Sequence, residues 1–196
     1  MVKPKKYLGQ HFLKDESISI KIASSLIQTK DCNTIIEIGP GTGALTKFLL
    51  ERQEEIIALE VDDESIDYLK INYPALDVRK EDFLKFDFTF LSKQKIAIAG
   101  NLPYNISSQI LLKLLKFKKW PPKYNNLIFM FQKELGEKIV GKFPSKNYGR
   151  ISILSNFRLN TLGKFLVSPS CFQPKPKVIS MVIHFQPKQK VLFDIK

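Results

Sequence analysis

Hydrophobic runs of strand length alternate with amphipathic stretches of helix length along the first 140 residues. The stretch after residue 43 illustrates the helical period, because its apolar side chains fall at Leu45, Phe48 and Leu49. The predicted strands are 34–38, 56–59, 76–79, 96–99 and 127–131, and the predicted helices are 44–53, 65–72, 107–115 and 133–140. Near-continuous apolar strands are typical of parallel sheets buried on both faces. The pattern predicts an α/β fold with a mostly parallel sheet and helices on both faces.

The pattern changes after Arg150. Residues 151–157 have a helical pattern, whereas 165–167 and 178–185 resemble strands joined only by a proline-rich connection. Strands connected without a helix favour antiparallel pairing, so we predict a hairpin that closes one edge of the sheet. With the five earlier strands, the hairpin makes a seven-stranded sheet.

Basic residues outnumber acidic ones by 31 to 19, which gives the 196 residues a net charge of +12. Such a field favours polyanions, either nucleic acid or an anionic membrane surface. No apolar run approaches the roughly 18 residues that span a bilayer, and the basic N-terminus lacks the apolar stretch of a signal peptide. We therefore expect a cytoplasmic protein that binds nucleic acid rather than a membrane.

Potential metal ligands are sparse. The two cysteines, Cys32 and Cys171, and the two histidines, His11 and His184, are separated by more than metal-ligand spacing allows. We expect both thiols to be reduced packing residues, and we predict no metal site.

A glycine-rich turn at 39–43 ends the first predicted strand. Ligands of parallel sheets bind at the carboxyl ends of strands, where glycines let the backbone approach closely. Glu60 ends the next strand and can accept hydrogen bonds from the ribose hydroxyls of an adenosine cofactor. Asp82 follows the third strand and could accept a bond from an adenine amino group, although a lone Asp is equally an ordinary turn residue. The G-x-G-x-G spacing disfavours a dinucleotide cofactor. These residues alone, however, do not decide between NAD and S-adenosylmethionine (SAM).

The tetrapeptide Asn101-Leu102-Pro103-Tyr104 follows a buried strand directly, so it belongs to the same cleft. An adenine amine is a poor nucleophile because its lone pair is delocalised into the ring. The Asn101 side-chain oxygen and the carbonyl of Leu102 or Pro103 can accept the two amine hydrogens, while Tyr104 can stack on the base. A base inside a duplex must first be flipped out, at a cost of a few kcal/mol. The alternative is an Asx-type turn before a helix.

Several motifs, taken together and in order, resemble the rRNA adenine N6,N6-dimethyltransferase family. Leu102-Pro103 is similar to the small-subunit (16S) branch rather than the macrolide-resistance branch, which typically has Ile before Pro. The resemblance extends over nearly the whole chain. The motifs are Gln10-His11-Phe12-Leu13, Glu37 to Gly43, Glu60, Asp82, Asn101 to Tyr104, Phe131 to Glu134, Tyr148-Gly149-Arg150 and Phe172 to Val178.

The resemblance implies a Rossmann-like SAM-dependent methyltransferase fold and a role for each matched residue. Gln10, His11 and Leu13 would close over the methionine end of SAM, and Gly39 and Gly41 would pass beneath it. Glu60 would hold the ribose and Asp82 the cofactor adenine. Asn101, also counted with the cofactor residues, and Tyr104 would hold the target base, with Phe172 stacked on its other face.

The resemblance also implies a substrate, namely two adjacent adenosines in a hairpin near the 3′ end of 16S rRNA, each receiving two methyl groups. Basic clusters fit an RNA partner: residues 112–132 contain five lysines and no acid, and residues 145–196 contain seven lysines and two arginines against Asp194. Such clusters supply affinity and register rather than sequence choice. We expect a monomer that acts on a small-subunit precursor in ribosome biogenesis.

Two alternatives remain open at this point. One is another specificity on the same fold, directed at large-subunit rRNA or DNA adenine. The other is a non-catalytic assembly or transcription factor that binds RNA or DNA. An NAD-dependent dehydrogenase is disfavoured because the cleft lacks a candidate acid or base for hydride transfer.

Members of the family usually continue into a helical C-terminal domain. We therefore assign residues 1–187 to the SAM-binding catalytic domain. Residues 188–196 are expected to be a stub or the start of that further domain.

Overall fold

The computed structural model describes residues 2–27, 32–88 and 95–191. In chain order the strands are β1 (Phe12–Leu13), β2 (Thr34–Ile38), β3 (Glu55–Glu60), β4 (Asp77–Lys80), β5 (Ile96–Asn101), β6 (Tyr124–Gln132), β7 (Leu159–Val167), β8 (Phe172–Gln173) and β9 (Ser180–Pro187). The α-helices are α1 (Glu16–Ile27), α2 (Thr46–Leu49), α3 (Asp63–Asn72), α4 (Ser107–Leu115), α5 (Lys133–Ile139) and α6 (Arg150–Arg158). Short 3₁₀ turns occupy Lys6–Leu8 and Pro169–Cys171.

Seven strands form one sheet in the order β4-β3-β2-β5-β6-β9-β7. Strands β2 to β6 are parallel, whereas β9 pairs antiparallel with both β6 and β7. The predicted mostly parallel seven-stranded sheet with an antiparallel edge hairpin is therefore confirmed. Strand order reverses between β2 and β5, and the crevice at their carboxyl ends is where such folds place a ligand.

Successive residues of the central strands point into two separate cores. Ile36 and Ile38 pack on one face with α4 and with Phe83 and its neighbours. Ile35 packs on the other face with α1, α2 and α3. Every residue of β2 is buried, which accounts for the continuous apolar pattern read from the sequence.

Several predicted boundaries were wrong. The helix expected at 44–53 is reduced to Thr46–Leu49, because residues 41–45 are held in turns and Arg52 N donates to Leu49 O in a tighter 3₁₀-type contact. Strand β7 begins at Leu159 rather than residue 165, since it pairs with β9 along its whole length. The sequence analysis missed α1 and the two-residue sheet that pairs Phe12 with Gln173.

The described chain ends soon after β9. The Lys188 backbone N–H donates to Arg158 O at 2.8 Å, and the Trp120 indole N–H donates to Lys188 O at 2.7 Å. Residues 192–196 of the predicted stub lie outside the described residues, so that assignment stays a prediction. Within the described ranges, every helix is too short or too polar to cross a bilayer.

Candidate active site

A cleft with a cavity volume of about 270 Å³ opens at the carboxyl ends of β2, β3 and β5. It is lined by all of the predicted cofactor and catalytic residues except Phe172. These are Gln10, His11, Leu13, Gly39, Gly41, Glu60, Asp82, Asn101, Leu102, Pro103 and Tyr104. The fold therefore brings together motifs that lie up to 94 positions apart in the chain (104 − 10).

The glycine turn forms the floor of this cleft. Gly39 and Gly41 have φ angles of 62° and 57°, a left-handed conformation that L side chains rarely adopt. A Cβ on Gly41 would lie 2.8 Å from Cε1 of Phe12, so the N-terminal segment closes directly onto the turn. Glycine is required here both for the backbone angle and for the space.

Glu60 is fixed at the end of β3 by the backbone. One carboxylate oxygen accepts hydrogen bonds from the N–H groups of Val61 (2.8 Å) and Asp62 (3.0 Å), and the other accepts one from Gly41 N–H (3.1 Å). Burial raises the pKa of Glu60, and these three bonds oppose the rise. The carboxylate is thus held in one orientation, with acceptor capacity left for hydroxyl groups in the cleft.

Glu37 is a cleft residue to which the sequence analysis assigned no role. It lies within β2, is 2% exposed and lines the cleft. The Thr46 hydroxyl donates to its carboxylate at 2.6 Å. Burial raises the pKa of Glu37 to about 7, and the nearby charge of Glu60 adds to the effect. The sequence did contain a signal for Glu37, which is an acid within an otherwise apolar strand. Acidic side chains are rarely buried unless they have a partner.

Asp82 also lines the cleft, in the loop after β4. One oxygen of its carboxylate accepts a bond from Leu84 N–H at 2.9 Å, so the ordinary turn interaction is present alongside its position in the cleft. Lys113 of α4 supports this loop, because its ammonium donates to the carbonyls of Leu84 (2.9 Å) and Phe86 (2.7 Å).

The N-terminal segment lines the cleft and is tied to the start of α3 by Lys5. We call the contacts of Lys5 with Asp62 and Glu64 the Lys5 clasp. Lys5 forms ion pairs with Asp62, which is 2% exposed at its side chain, and with Glu64 at 3.1 Å. The Lys5 backbone N–H donates to the side-chain oxygen of Gln10 at 2.8 Å, which ties Gln10 to the same point. Burial alone would raise the pKa of Asp62, but the bonds from Lys5 and Ser65 outweigh it and hold that pKa below its usual value. No motif in the sequence pointed to this contact between residues 57 positions apart.

The Asn101 side chain is oriented by the N-terminal segment. Its Nδ2 donates to the His11 carbonyl at 2.8 Å, which directs the amide so that Oδ1 remains to accept a bond. His11 is itself held by a hydrogen bond between Nδ1 and Pro174 O at 2.8 Å. The resulting acceptor at the end of β5 is the geometry that the sequence predicted for binding an adenine amine.

Tyr104 lies beside this acceptor. Its hydroxyl hydrogen-bonds to Ser180 Oγ at 2.6 Å, and its ring centroid lies 5.5 Å from that of His11 with a tilt of 30°. Burial raises the pKa of Tyr104, and the bond to Ser180 opposes that rise. The Tyr104 side chain is therefore held by its hydroxyl and packs against the His11 ring.

Phe172 does not line the cleft in this structure, so the stacking role predicted for it stays a prediction. Its ring is 1% exposed and packs in the core that contains Leu13, so neither face is open to a base. The physical reason is the pairing of β8 with β1, which places Phe172 opposite Leu13. Only the structure could show this pairing, because each of the two strands has two residues.

Comparison with known proteins agrees with this geometry. A family model described as ribosomal RNA adenine dimethylase matches residues 1–196. The chain is 46% identical over 191 residues to the ribosomal RNA small subunit methyltransferase A of Flavobacterium johnsoniae, covering 96% of this chain and 72% of that protein. It is 45% identical to the enzyme of the same name from Parabacteroides distasonis, covering 93% and 68%.

A solved structure is also similar. The dimethyladenosine transferase of Plasmodium falciparum superposes with a TM-score of 0.76 at 30% identity, covering 91% of this chain and 64% of that one. The fold is thus the Rossmann-like fold of SAM-dependent methyltransferases. The matched family model, the relatives and the composition of the cleft agree, and the chain belongs to the ribosomal RNA adenine dimethylase family.

Proposed function

We propose that this protein transfers methyl groups from SAM to N6 of two adjacent adenosines in a hairpin near the 3′ end of 16S rRNA. The observation that carries the proposal is the Asn101 amide, whose nitrogen is occupied by the His11 carbonyl while its oxygen remains to accept. This acceptor shares one cleft with the glycine turn and Glu60. The names of the relatives supply the small-subunit specificity.

The residues of the cleft fit SAM. Gly39 and Gly41 present a floor without side chains, which suits close approach of a flat, extended ligand. The fixed Glu60 carboxylate suits two ribose hydroxyls, and Asp82 suits an exocyclic amino group. When bound, SAM supplies an electrophilic methyl group, so the protein's task is positioning.

The amine of the target adenine needs two acceptors. Asn101 Oδ1 and the carbonyl of Leu102 or Pro103 can accept its two hydrogens, which favours a pyramidal nitrogen whose lone pair is withdrawn from the ring π-system and points toward the donor. Pro103 contributes no N–H that would compete, and it packs near Gly39 at 3.9 Å from the position of a Cβ there. The protein thereby increases nucleophilicity through hydrogen-bond geometry.

Tyr104 offers a stacking surface to the extruded base. Extrusion costs a few kcal/mol, and stacking on an aromatic ring returns roughly 1–3 kcal/mol. The His11 ring now lies 5.5 Å from that of Tyr104, which is too close for a base between them. A base stacked on this face of Tyr104 therefore requires a shift of His11.

The finer assignments form part of the same proposal. The protein acts in the cytoplasm, as a monomer, on a precursor of the small ribosomal subunit. Because the predicted cofactor residues lie between Gln10 and Asn101, we expect residues 1–196 to bind SAM.

Methyl transfer to small ribosomal subunits lacking the modification tests the function. Wild-type protein should incorporate radiolabel from SAM, and mass spectrometry should map it to two neighbouring adenosines. Asn101→Ala should reduce the rate by about 10²–10³-fold, the range seen when one positioned hydrogen-bonding group is removed from an active site. Label on large-subunit rRNA alone would refute the specificity, and wild-type RNA binding without turnover would refute the catalytic role.

A further inference from the structure

The connection between α5 and α6 carries two aromatic rings that no part of the proposed reaction uses. Phe143 is 80% exposed and Tyr148 is 39% exposed, with ring centroids 6.0 Å apart at an interplanar angle of 75°. Rings of this size are normally buried, and an exposed aromatic pair on a surface loop marks a binding surface more often than chance. We call residues 142–150 the aromatic loop.

The aromatic loop is held rigidly, so the exposure of its rings is built into the fold. Buried Ser152 bonds to both flanks: its hydroxyl contacts Lys138 O and Asn147 O and accepts from Gly149 N–H at 3.0 Å. The Asn156 amide donates to Gly141 O at 2.7 Å, which fixes the start of the loop. A preformed loop loses little conformational entropy when a partner binds.

The charge around the rings identifies the class of partner. Lys142, Lys146 and Arg150 are all exposed, and among the described residues none of them has a salt-bridge partner. From residue 138 to residue 193 the chain contains no Asp or Glu. Exposed rings framed by uncompensated cations match a polyanion that also presents flat π-surfaces, which is single-stranded nucleic acid.

Helix α5 alone separates the aromatic loop from the sheet edge that holds the cleft. Strands β5 and β6 end side by side, with Asn101 paired to Met130, and α5 starts directly after β6. Helix α5 has seven residues, so the loop begins about 10 Å along it from the edge that holds the cleft. A few nucleotides flanking a base in the cleft could span that distance.

We propose that the aromatic loop is a second RNA-binding surface, in which Phe143 stacks on an unpaired base flanking the target adenosine while Tyr148, packed edge-on, supports the Phe143 ring. Lys142, Lys146 and Arg150 then contact the adjoining phosphates. The proposal rests on the proposed function for the identity of the RNA, and it adds a substrate-binding surface outside the cleft.

Fluorescence anisotropy with a labelled oligoadenylate of about twelve nucleotides tests the stacking. Phe143→Ala should weaken binding by about 5- to 100-fold, as expected when one base no longer stacks. Phe143→Trp should bind as wild type, because indole stacks equally well. Ile71→Ala is the matched control, since Ile71 is 79% exposed on α3 and should leave binding unchanged.

Further measurements distinguish base stacking from binding through charge alone and from membrane binding. Replacing Lys142 and Lys146 by Gln should make the salt dependence of RNA binding shallower, with the logarithmic slope falling by about 0.7 for each phosphate that is no longer neutralised. The proposal is overturned if Phe143→Ala binds the oligonucleotide normally, if binding of a duplex of the same length is weakened equally, or if the variant is impaired only in binding phosphatidylglycerol vesicles.

Failure of this proposal can be distinguished from failure of the proposed function. SAM affinity, measured by calorimetry, should be the same for wild type and Phe143→Ala. If wild type methylates rRNA while Phe143→Ala binds RNA normally, the reaction stands and the second RNA-binding surface is refuted. If wild type binds the oligonucleotide through Phe143 but methylates no rRNA, the second surface stands and the reaction is refuted.

Discussion

At the scale of single residues, the cleft depends on side chains that already form hydrogen bonds within the protein. These bonds fix the orientation of the acceptor atoms that are offered to a ligand. Asn101 is held through Nδ2 by the His11 carbonyl, and Glu60 is held by three backbone N–H groups. Each can offer a ligand an acceptor that needs little reorganisation, which is the condition under which hydrogen bonds contribute most to binding and catalysis.

Glu60→Gln should weaken SAM binding by about tenfold or more. The substitution replaces a carboxylate oxygen by an NH₂ group, which either faces the N–H donors of Gly41, Val61 and Asp62 or faces the ribose as a poorer acceptor. Calorimetric titration with SAM measures the change. Glu51→Gln, an exposed substitution, is the control, and equal affinities of the two variants would contradict the assigned role.

Glu37 should make stability depend on pH. Its pKa is about 7 in the folded protein against an ordinary 4.5, so between these values the folded state holds the proton more tightly than the unfolded chain. The free energy of unfolding should therefore fall as pH rises from 4.5 to about 7 and then level off.

Glu37→Gln should remove this slope. Relative to wild type, the variant should gain stability between pH 4.5 and about pH 8, by up to about 3 kcal/mol, since each pKa unit corresponds to roughly 1.4 kcal/mol. Urea unfolding at both pH values measures it, and a constant difference between the two proteins would show that folding does not raise the pKa of Glu37.

At the scale of elements, the cleft is assembled from parts that lie far apart in the chain. Strands β2, β3 and β5 supply the floor and the fixed acceptors, whereas the N-terminal segment supplies the cover. The cover is joined to α3 through the contacts of Lys5 with Asp62 and Glu64, and to β8 through β1. We therefore expect access to the cleft to depend on these contacts.

Lys5→Gln should accelerate release of SAM by about three- to tenfold, because the cover no longer forms its ion pairs with α3. Asp62 also caps α3 through Ser65, so the substitution leaves a buried carboxylate with one partner fewer. Stopped-flow displacement measures the release rate. Lys3→Gln, at an exposed lysine of the same segment, should release SAM at the wild-type rate; equal rates for both variants would show that the clasp does not hold the cover.

At the scale of the whole molecule, 31 basic residues face 19 acidic ones, and the resulting net charge of +12 attracts RNA. The acid-free stretch of residues 138–193 includes α6, β7, β8, β9 and the aromatic loop, so the positive field is concentrated in one part of the sequence. Acids instead occur at the cleft, where Glu37, Glu60 and Asp82 line the wall.

This separation predicts different salt responses for the two ligands. If about four phosphates are neutralised, raising KCl from about 50 to about 200 mM should weaken binding of single-stranded RNA by about 50-fold. SAM affinity should change by less than about twofold, since its predicted contacts are short and local. Parallel titrations at both salt concentrations test this, and a flat RNA response would argue against the basic surface.

Much of the fold and the site could be predicted from the sequence because their signals are local. Continuous apolar runs can be satisfied only by strands buried on both faces, and polar or glycine residues directly after such strands must lie at one edge of the sheet. Thus the sequence alone groups Gly39, Glu60, Asp82 and Asn101 in one cleft. What only the tertiary structure decided depends on contacts between distant segments: the Lys5 clasp, the His11 carbonyl that orients Asn101, and the β1–β8 pairing that buries Phe172. Such contacts leave no periodicity in the sequence, because they depend on how distant segments pack against each other in the folded protein.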